Sequence, residues 1–169
     1  MISKILVFSR TQVACGIQLF NDKKYGLISI NHEPHGHLLN DEFVIIKKME
    51  KVPKLSLYFS DCTLAEYNKV KSKDVKDHLY LFNEDHAKQI VNFVTDNKDK
   101  IDLLIIHCEA GQSRSGAVGL WANRYLGLNE KQFLQDNKKI FPNAYVYNML
   151  YVASGMKESY NNFWSHVEN

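Results

Sequence analysis

The sequence predicts an α/β fold: a central, mostly parallel sheet of about four to five strands flanked by helices on both faces, with a helical C-terminal third. Two observations predict it. The apolar, β-branched runs Ile5 to Phe8, Leu27 to Ile30 and Asp102 to His107 read as buried strands. Between and after them the apolar period becomes helical, most clearly where Ala87, Ile90, Val91 and Val94 share one face.

Taken in order, the first strand is Ile5 to Phe8 and the second Leu27 to Ile30. Phe43 to Ile46 is a candidate fifth strand at an edge, and Leu55 to Phe59 alternates as a strand with one less buried face does. The polar stretch from Thr63 to Lys76 carries four lysines and no clear apolar period, which reads as a surface loop or short helix. Asn83 or Asp85 can cap the helix that runs to Val94 and leads into the strand ending at Cys108. Gly116 to Tyr125 is then a mostly apolar helix, which must be buried, closed by Gly127. Asn129 opens another helix as far as Phe141, and Pro142 and Asn143 punctuate the start of the last, through Tyr147 and Leu150.

Composition bounds the function. The chain has 169 residues, the length of one domain spanning 1–169, with 45% apolar and 24% charged residues. Its 21 basic and 19 acidic side chains leave a formal charge of +2, too balanced to make nucleic acid or a membrane surface the main partner. Cys15, Cys62 and Cys108 are odd in number and lack a Cys-x-x-Cys pair, arguing against a disulfide framework and a zinc site. A reducing compartment fits best. With neither a signal-peptide pattern nor a membrane-span run, the expected location is the cytoplasm.

The informative segment is His107-Cys-Glu-Ala-Gly-Gln-Ser-Arg-Ser-Gly116, set between a buried strand and a helix. A loop in that position turns successive backbone N–H groups inward, and the helix start adds partial positive charge, so that Glu109, Ala110, Gly111, Gln112 and Ser113 form an anion cradle. Phosphate is its natural guest. Oriented dipoles around Cys108 favour a nucleophilic thiolate. Six positions on, Arg114 has the planar fork to bind two phosphate oxygens. Gly111 permits the tight turn, where a side chain would crowd the oxyanion. The Ser115 hydroxyl can donate to the Cys108 sulfur and help it leave. His107 is expected to be a supporting, buried imidazole that hydrogen-bonds the loop.

This segment resembles the signature loop of the protein tyrosine phosphatase superfamily, closest to its compact dual-specificity branch. The likeness covers the signature in full and, more loosely, Leu55 to Gly119; the first fifty residues match only as a strand-helix-strand pattern. It implies a sheet flanked by helices, no metal or other cofactor, a two-step reaction through phosphocysteine, and an aspartic general acid on an upstream loop. Asp61, just past the strand Leu55 to Phe59, is the first choice for that acid. Asp77 and Asp85 are rivals, because the Thr63 to Lys76 segment lengthens the separation from Cys108.

The alternatives are a rhodanese-like sulfurtransferase, which does not call for a Gly-x-Ser-Arg-Ser ending, and a binding module for phosphoproteins, which usually forfeits the cysteine or the arginine. Both residues are present here. Glu109 disfavours highly anionic headgroups, so the expected substrate is a phosphorylated protein, handled by a monomer, with tyrosine against serine/threonine open. The cluster His32-Glu-Pro-His-Gly-His37 reads as a polar surface loop and not a metal site. Cys62, beside the proposed acid, suggests a redox link to Cys108 or an inert thiol, of which the inert thiol is preferred. Tyr145, Tyr147 and Tyr151 read as packing.

Overall fold

The computed structural model describes residues 1–15, 23–32, 52–71 and 79–156. Four strands, β1 (Lys4–Ser9), β2 (Tyr25–Asn31), β3 (Lys54–Tyr58) and β4 (Leu103–Cys108), form one sheet in the order β1-β4-β2-β3, every pairing parallel. The described helices are α1 (Arg10–Ala14), α2 (Leu64–Lys71), α3 (Glu84–Asn97), α4 (Arg114–Tyr125), α5 (Glu130–Asp136) and α6 (Ala144–Ala153). The candidate strand Phe43 to Ile46 lies outside the described residues.

Alternation along the strands divides the core in two. Ile5, Ile28, Ile30, Leu57, Leu104 and Ile106 face the layer built by α3, α4, α5 and α6. On the opposite face Tyr25, Leu27, Leu103 and Ile105 pack with Val13 of α1. Covered on both sides, β4 is buried at every position and carries no polar alternation before His107. It sits between β1 and β2, so its C-terminal residue, Cys108, emerges near the middle of the sheet edge where open α/β sheets bind ligands.

The ends of the helices follow from their caps. Asn83 accepts from the His86 N–H to open α3, and Asn129 and Asn143 do the same for α5 and α6. Gly127 takes a positive φ of 65° just beyond α4, as its position predicts. The Thr63 to Lys76 stretch resolves in its first part into α2, which Thr63 and Glu66 start by exchanging side-chain and backbone hydrogen bonds. Such a Thr-x-x-Glu box was the signal for it. A matching Ser9-x-x-Gln12 box opens α1.

The expected helix from Asn129 to Phe141 is shorter than its sequence suggests, ending at Asp136. The cause is Asn137, whose backbone leaves the helix (φ −123°, ψ 51°) and whose buried amide turns onto the open edge of β1. There Nδ2 donates to the Ile5 carbonyl at 3.2 Å, while Oδ1 accepts from the Val7 N–H at 2.7 Å. One side chain thus mimics the strand that would otherwise pair with β1 and covers the edge. Asn137→Ala is expected to cost about 2–4 kcal/mol, because two strand groups lose partners that water replaces poorly; urea unfolding monitored by circular dichroism measures it. A loss under about 0.5 kcal/mol would show that the amide only decorates the edge.

Candidate active site

The loop from Glu109 to Ser113 joins the central strand to a 12-residue helix, α4, whose N-terminus points at the same hollow. Cys108 ends β4 and is buried. Its Sγ lies 3.0 Å from the Ser115 Oγ, within hydrogen-bond reach, as expected for a hydroxyl that steadies the sulfur. Among the described residues, no acceptor takes the backbone N–H groups of Ala110, Gly111, Gln112 and Ser113. Four such donors in succession at a helix start are an anion-binding arrangement.

Arg114 folds beneath this loop and is only 5% exposed. Its Nη1 donates to the Phe59 carbonyl at 2.8 Å, tying the guanidinium to the exit of β3. Its buried Nε has no hydrogen-bond partner, and no carboxylate forms an ion pair with Arg114 among the described residues. A buried cation without a counter-charge is costly unless an anion joins it.

Gly111 has φ 69°, the left-handed region its turn demands. The obstruction to a side chain is not where the sequence suggested. A Cβ there would fall on the backbone of Phe8 and Ser9, with the Phe8 oxygen 2.7 Å away, so glycine is needed for the loop to lie against the end of β1.

Asp61 is brought to the loop, 52 residues away in sequence. Its Oδ1 accepts from the Ser113 hydroxyl at 2.7 Å and from Asn143 Nδ2 at 2.9 Å. Ser113 is the residue before α4, yet its side chain makes no capping bond: its backbone is helical (φ −86°, ψ −73°), not the extended form a cap takes, and its hydroxyl is turned to Asp61. Asn143 divides its amide: Oδ1 caps α6 and Nδ2 holds the aspartate. Backbone bonds from Phe141 N–H to the Gln112 carbonyl (3.2 Å) and from Asn143 N–H to the Ser113 carbonyl (3.1 Å) brace the loop from the same segment. Of the rival acids, Asp85 is exposed in the first turn of α3, where burial pushes the neighbouring His86 imidazole down and the Asp85 charge only partly opposes this, and Asp77 lies outside the described residues.

His107 faces away from the sulfur by strand alternation and is buried. Burial, and then the nearby Arg10 charge, push its imidazole down to about 4; a backbone hydrogen bond with Cys108 and the charge of Glu109 offset this in part. The ring is neutral at neutral pH and contributes no charge, and its buried Nδ1 has no hydrogen-bond partner among the described residues, where the sequence suggested a bond to the loop. The Glu109 carboxylate turns toward Arg10, with 3.4 Å between Oε2 and Nη1, and the Arg10 N–H donates to the Glu109 carbonyl. Its charge is therefore partly offset by a neighbour that the sequence pattern did not single out.

Burial, then the charges of Glu66 and Asp61, push the Cys62 thiol up, with Arg114 opposing them. This favours the inert reading of that cysteine. Cys15 is exposed at the end of α1. Of the histidine-rich segment only His32 is described, and among the described residues no group of three or more His, Cys, Asp or Glu side chains is placed to hold a metal ion. No helix of the described residues is long and apolar enough to cross a membrane.

A known structure shares this fold. Human DUSP28 superposes with a TM-score of 0.52 at 14% identity, covering 89% of this chain and 91% of its own. The fold is that of a dual-specificity phosphatase. Tk-PTP in its active form (TM-score 0.45, 15% identity, 79% of this chain and 81% of the other) and PTPMT1 in complex with PI(5)P (0.46, 15%, 78% and 77%) are more distant in shape. No protein-family model and no curated protein matches the sequence.

The sequence found Cys108, Arg114, Ser115 and the cradle because they lie in one short segment. It missed Asn143 as a partner of Asp61, the Phe59 carbonyl as the anchor of Arg114, and Arg10 beside Glu109. Only Asn143 left a trace, as a cap, and nothing in that signal points to a residue 82 positions away.

Proposed function

We propose that this protein hydrolyses phosphomonoesters on phosphorylated proteins, at phosphotyrosine, phosphoserine or phosphothreonine, through a phosphocysteine at Cys108. The observation that carries the reading is Arg114: a buried guanidinium that, among the described residues, has an unpartnered Nε and no ion-paired carboxylate, beside four N–H groups that no described acceptor takes and near a cysteine. Phosphate answers all of these needs at once. The shared fold supports the same chemistry.

In the first step Cys108 Sγ attacks phosphorus, the S–P bond forms as the ester P–O bond breaks, and the leaving oxygen takes the proton of Asp61. Arg114 and the N–H groups of Glu109 to Arg114 hold the equatorial oxygens. In the second, Asp61 removes a proton from water as that water attacks phosphorus, and the S–P bond breaks to restore the thiolate. Ser115, within 3.0 Å of Sγ, donates to the departing sulfur. His107 supports the loop. The reaction requires Cys108 to stay reduced, consistent with action in the cytoplasm as a monomer.

The test is hydrolysis of p-nitrophenyl phosphate in reducing buffer with a metal chelator, together with acid-quench trapping of the phosphoryl group on Cys108. Turnover that resists the chelator and a labelled Cys108 peptide are the expected results. Binding of inorganic phosphate without turnover would move the protein to the phosphoprotein-binding reading.

The role of Asp61 has its own test. Asp61→Asn keeps an oxygen to accept from Ser113 and Asn143 but has no proton to give. It is expected to slow alkyl phosphomonoesters by about 10²-fold and p-nitrophenyl phosphate by less than about tenfold, since nitrophenolate leaves without help. A plot of rate against leaving-group acidity checks this. The same loss for every leaving group would move the role to Asp77 or Asp85.

A further inference from the structure

Phe141 is a large apolar side chain left 67% exposed. It is nevertheless held on a fixed backbone at the rim of the cysteine loop. Its N–H donates to the Gln112 carbonyl at 3.2 Å, and two residues later the Asn143 N–H donates to the Ser113 carbonyl at 3.1 Å. Between them Pro142 restricts the chain further. Ile140, its neighbour on the other side, packs on the core beside Gly116. Side-chain exposure here is therefore built in and does not come from a loose segment.

The position is defined by what surrounds it. Asn143, which with Ser113 holds the Asp61 carboxylate, lies two residues beyond Phe141 on the same strip of backbone, and that strip is hydrogen-bonded to Gln112 and Ser113 of the loop. Asp61 marks where the leaving oxygen must be when it receives its proton, so Phe141 stands at the side of the hollow from which the leaving group departs. A phosphotyrosine carries a rigid ring out from that oxygen. A phosphoserine carries a single methylene and then its own backbone.

We propose that Phe141 is a specificity-determining residue whose ring stacks against the aromatic leaving group, so that the protein prefers phosphotyrosine to phosphoserine and phosphothreonine. The inference rests on the phosphatase reading and narrows its substrate class. An offset or edge-to-face ring pair accounts for a preference of roughly two- to twelvefold, provided by the ring and independent of phosphate binding.

The experiment compares one peptide sequence carrying phosphotyrosine or phosphoserine. Its readouts are kcat/KM in the active protein and Kd in the Cys108→Ser protein, with inorganic phosphate as a third ligand. Phe141→Ala is expected to weaken the phosphotyrosine peptide about three- to tenfold while phosphoserine peptide and inorganic phosphate stay within about twofold, and Phe141→Tyr is expected to restore the difference. Equal weakening of both peptides, or an unchanged phosphotyrosine peptide, overturns the proposal. If the active protein shows no turnover yet the selective binding loss persists, the phosphatase reading fails and the role of Phe141 stands.

Discussion

Cys108→Ser is expected to lower kcat on p-nitrophenyl phosphate by about 10⁴-fold or more while leaving the affinity for inorganic phosphate within a few-fold of wild type. The substitution exchanges sulfur for oxygen and changes little else. Position 108 is buried at the end of a strand whose backbone is paired on both sides, and a serine hydroxyl can still meet the Ser115 Oγ, now 3.0 Å from the sulfur. The cradle N–H groups and Arg114 belong to the following residues and are untouched. What disappears is the sulfur nucleophile, because an alcohol is a far weaker nucleophile than a thiol or thiolate. Side-by-side rates and phosphate titration by calorimetry measure the two effects. Turnover near the wild-type level would overturn the covalent route, and loss of phosphate binding would place the phosphate elsewhere.

Arg114→Lys is expected to cost about 10³-fold in kcat/KM, an effect that a conservative exchange of charge would not produce at the surface. In the structure the guanidinium does two things at once: Nη1 holds the Phe59 carbonyl at 2.8 Å, and the rest of the fork, with its unpartnered Nε, is available to an anion. An ammonium is a point charge on a flexible stem and cannot satisfy both in the fixed directions required. If it bonds the carbonyl it leaves the phosphate; if it reaches the phosphate it releases the end of β3, two residues before Asp61. The variant should therefore lose phosphate affinity and also respond less steeply to leaving-group acidity, as the acid is less well held. Phosphate titration and rates across a series of aryl phosphates read these separately, with thermal unfolding as a check on the fold. A lysine variant with near wild-type kcat/KM would show that the fork is not the phosphate ligand.

These two effects are expected to be large because the proposed reaction puts Cys108 and Arg114 against the phosphoryl group. The Asn137 effect is smaller and of another kind, since it acts on the sheet edge and so on stability alone. Phe141 acts on the choice between substrates.

Local pattern determined much of this protein. The β-branched runs of β1, β2 and β4, the apolar face of α3, the largely buried α4 and the cysteine loop between β4 and α4 are all local, dictated by side chains within a few residues of one another, although β1, at the sheet edge, fully buries only Ile5 where its sequence suggests a buried strand. The same holds for Cys108, Arg114 and Ser115, and for the cradle, which needs only a strand, a short turn and a helix start. The Ser9-x-x-Gln12 and Thr63-x-x-Glu66 boxes that open the short helices α1 and α2 are local too, but the apolar periods behind them are too weak to single them out in the sequence. Tertiary structure decided the rest. The end of α5 depends on Asn137 finding the edge of β1, 130 residues away, a gain that outweighs one more helical turn. Gly111 is required by the positive φ of its turn and, from a distant segment, by the backbone at the end of β1. The sequence favoured Asp61 over Asp77 and Asp85 only by its place after a strand, and it is the fold that brings Asp61 against Ser113 and Asn143. The physical reason is common to all three: a hydrogen bond or a steric contact between distant segments leaves no period and no spacing in the chain, and exists only once the sheet has set those segments side by side.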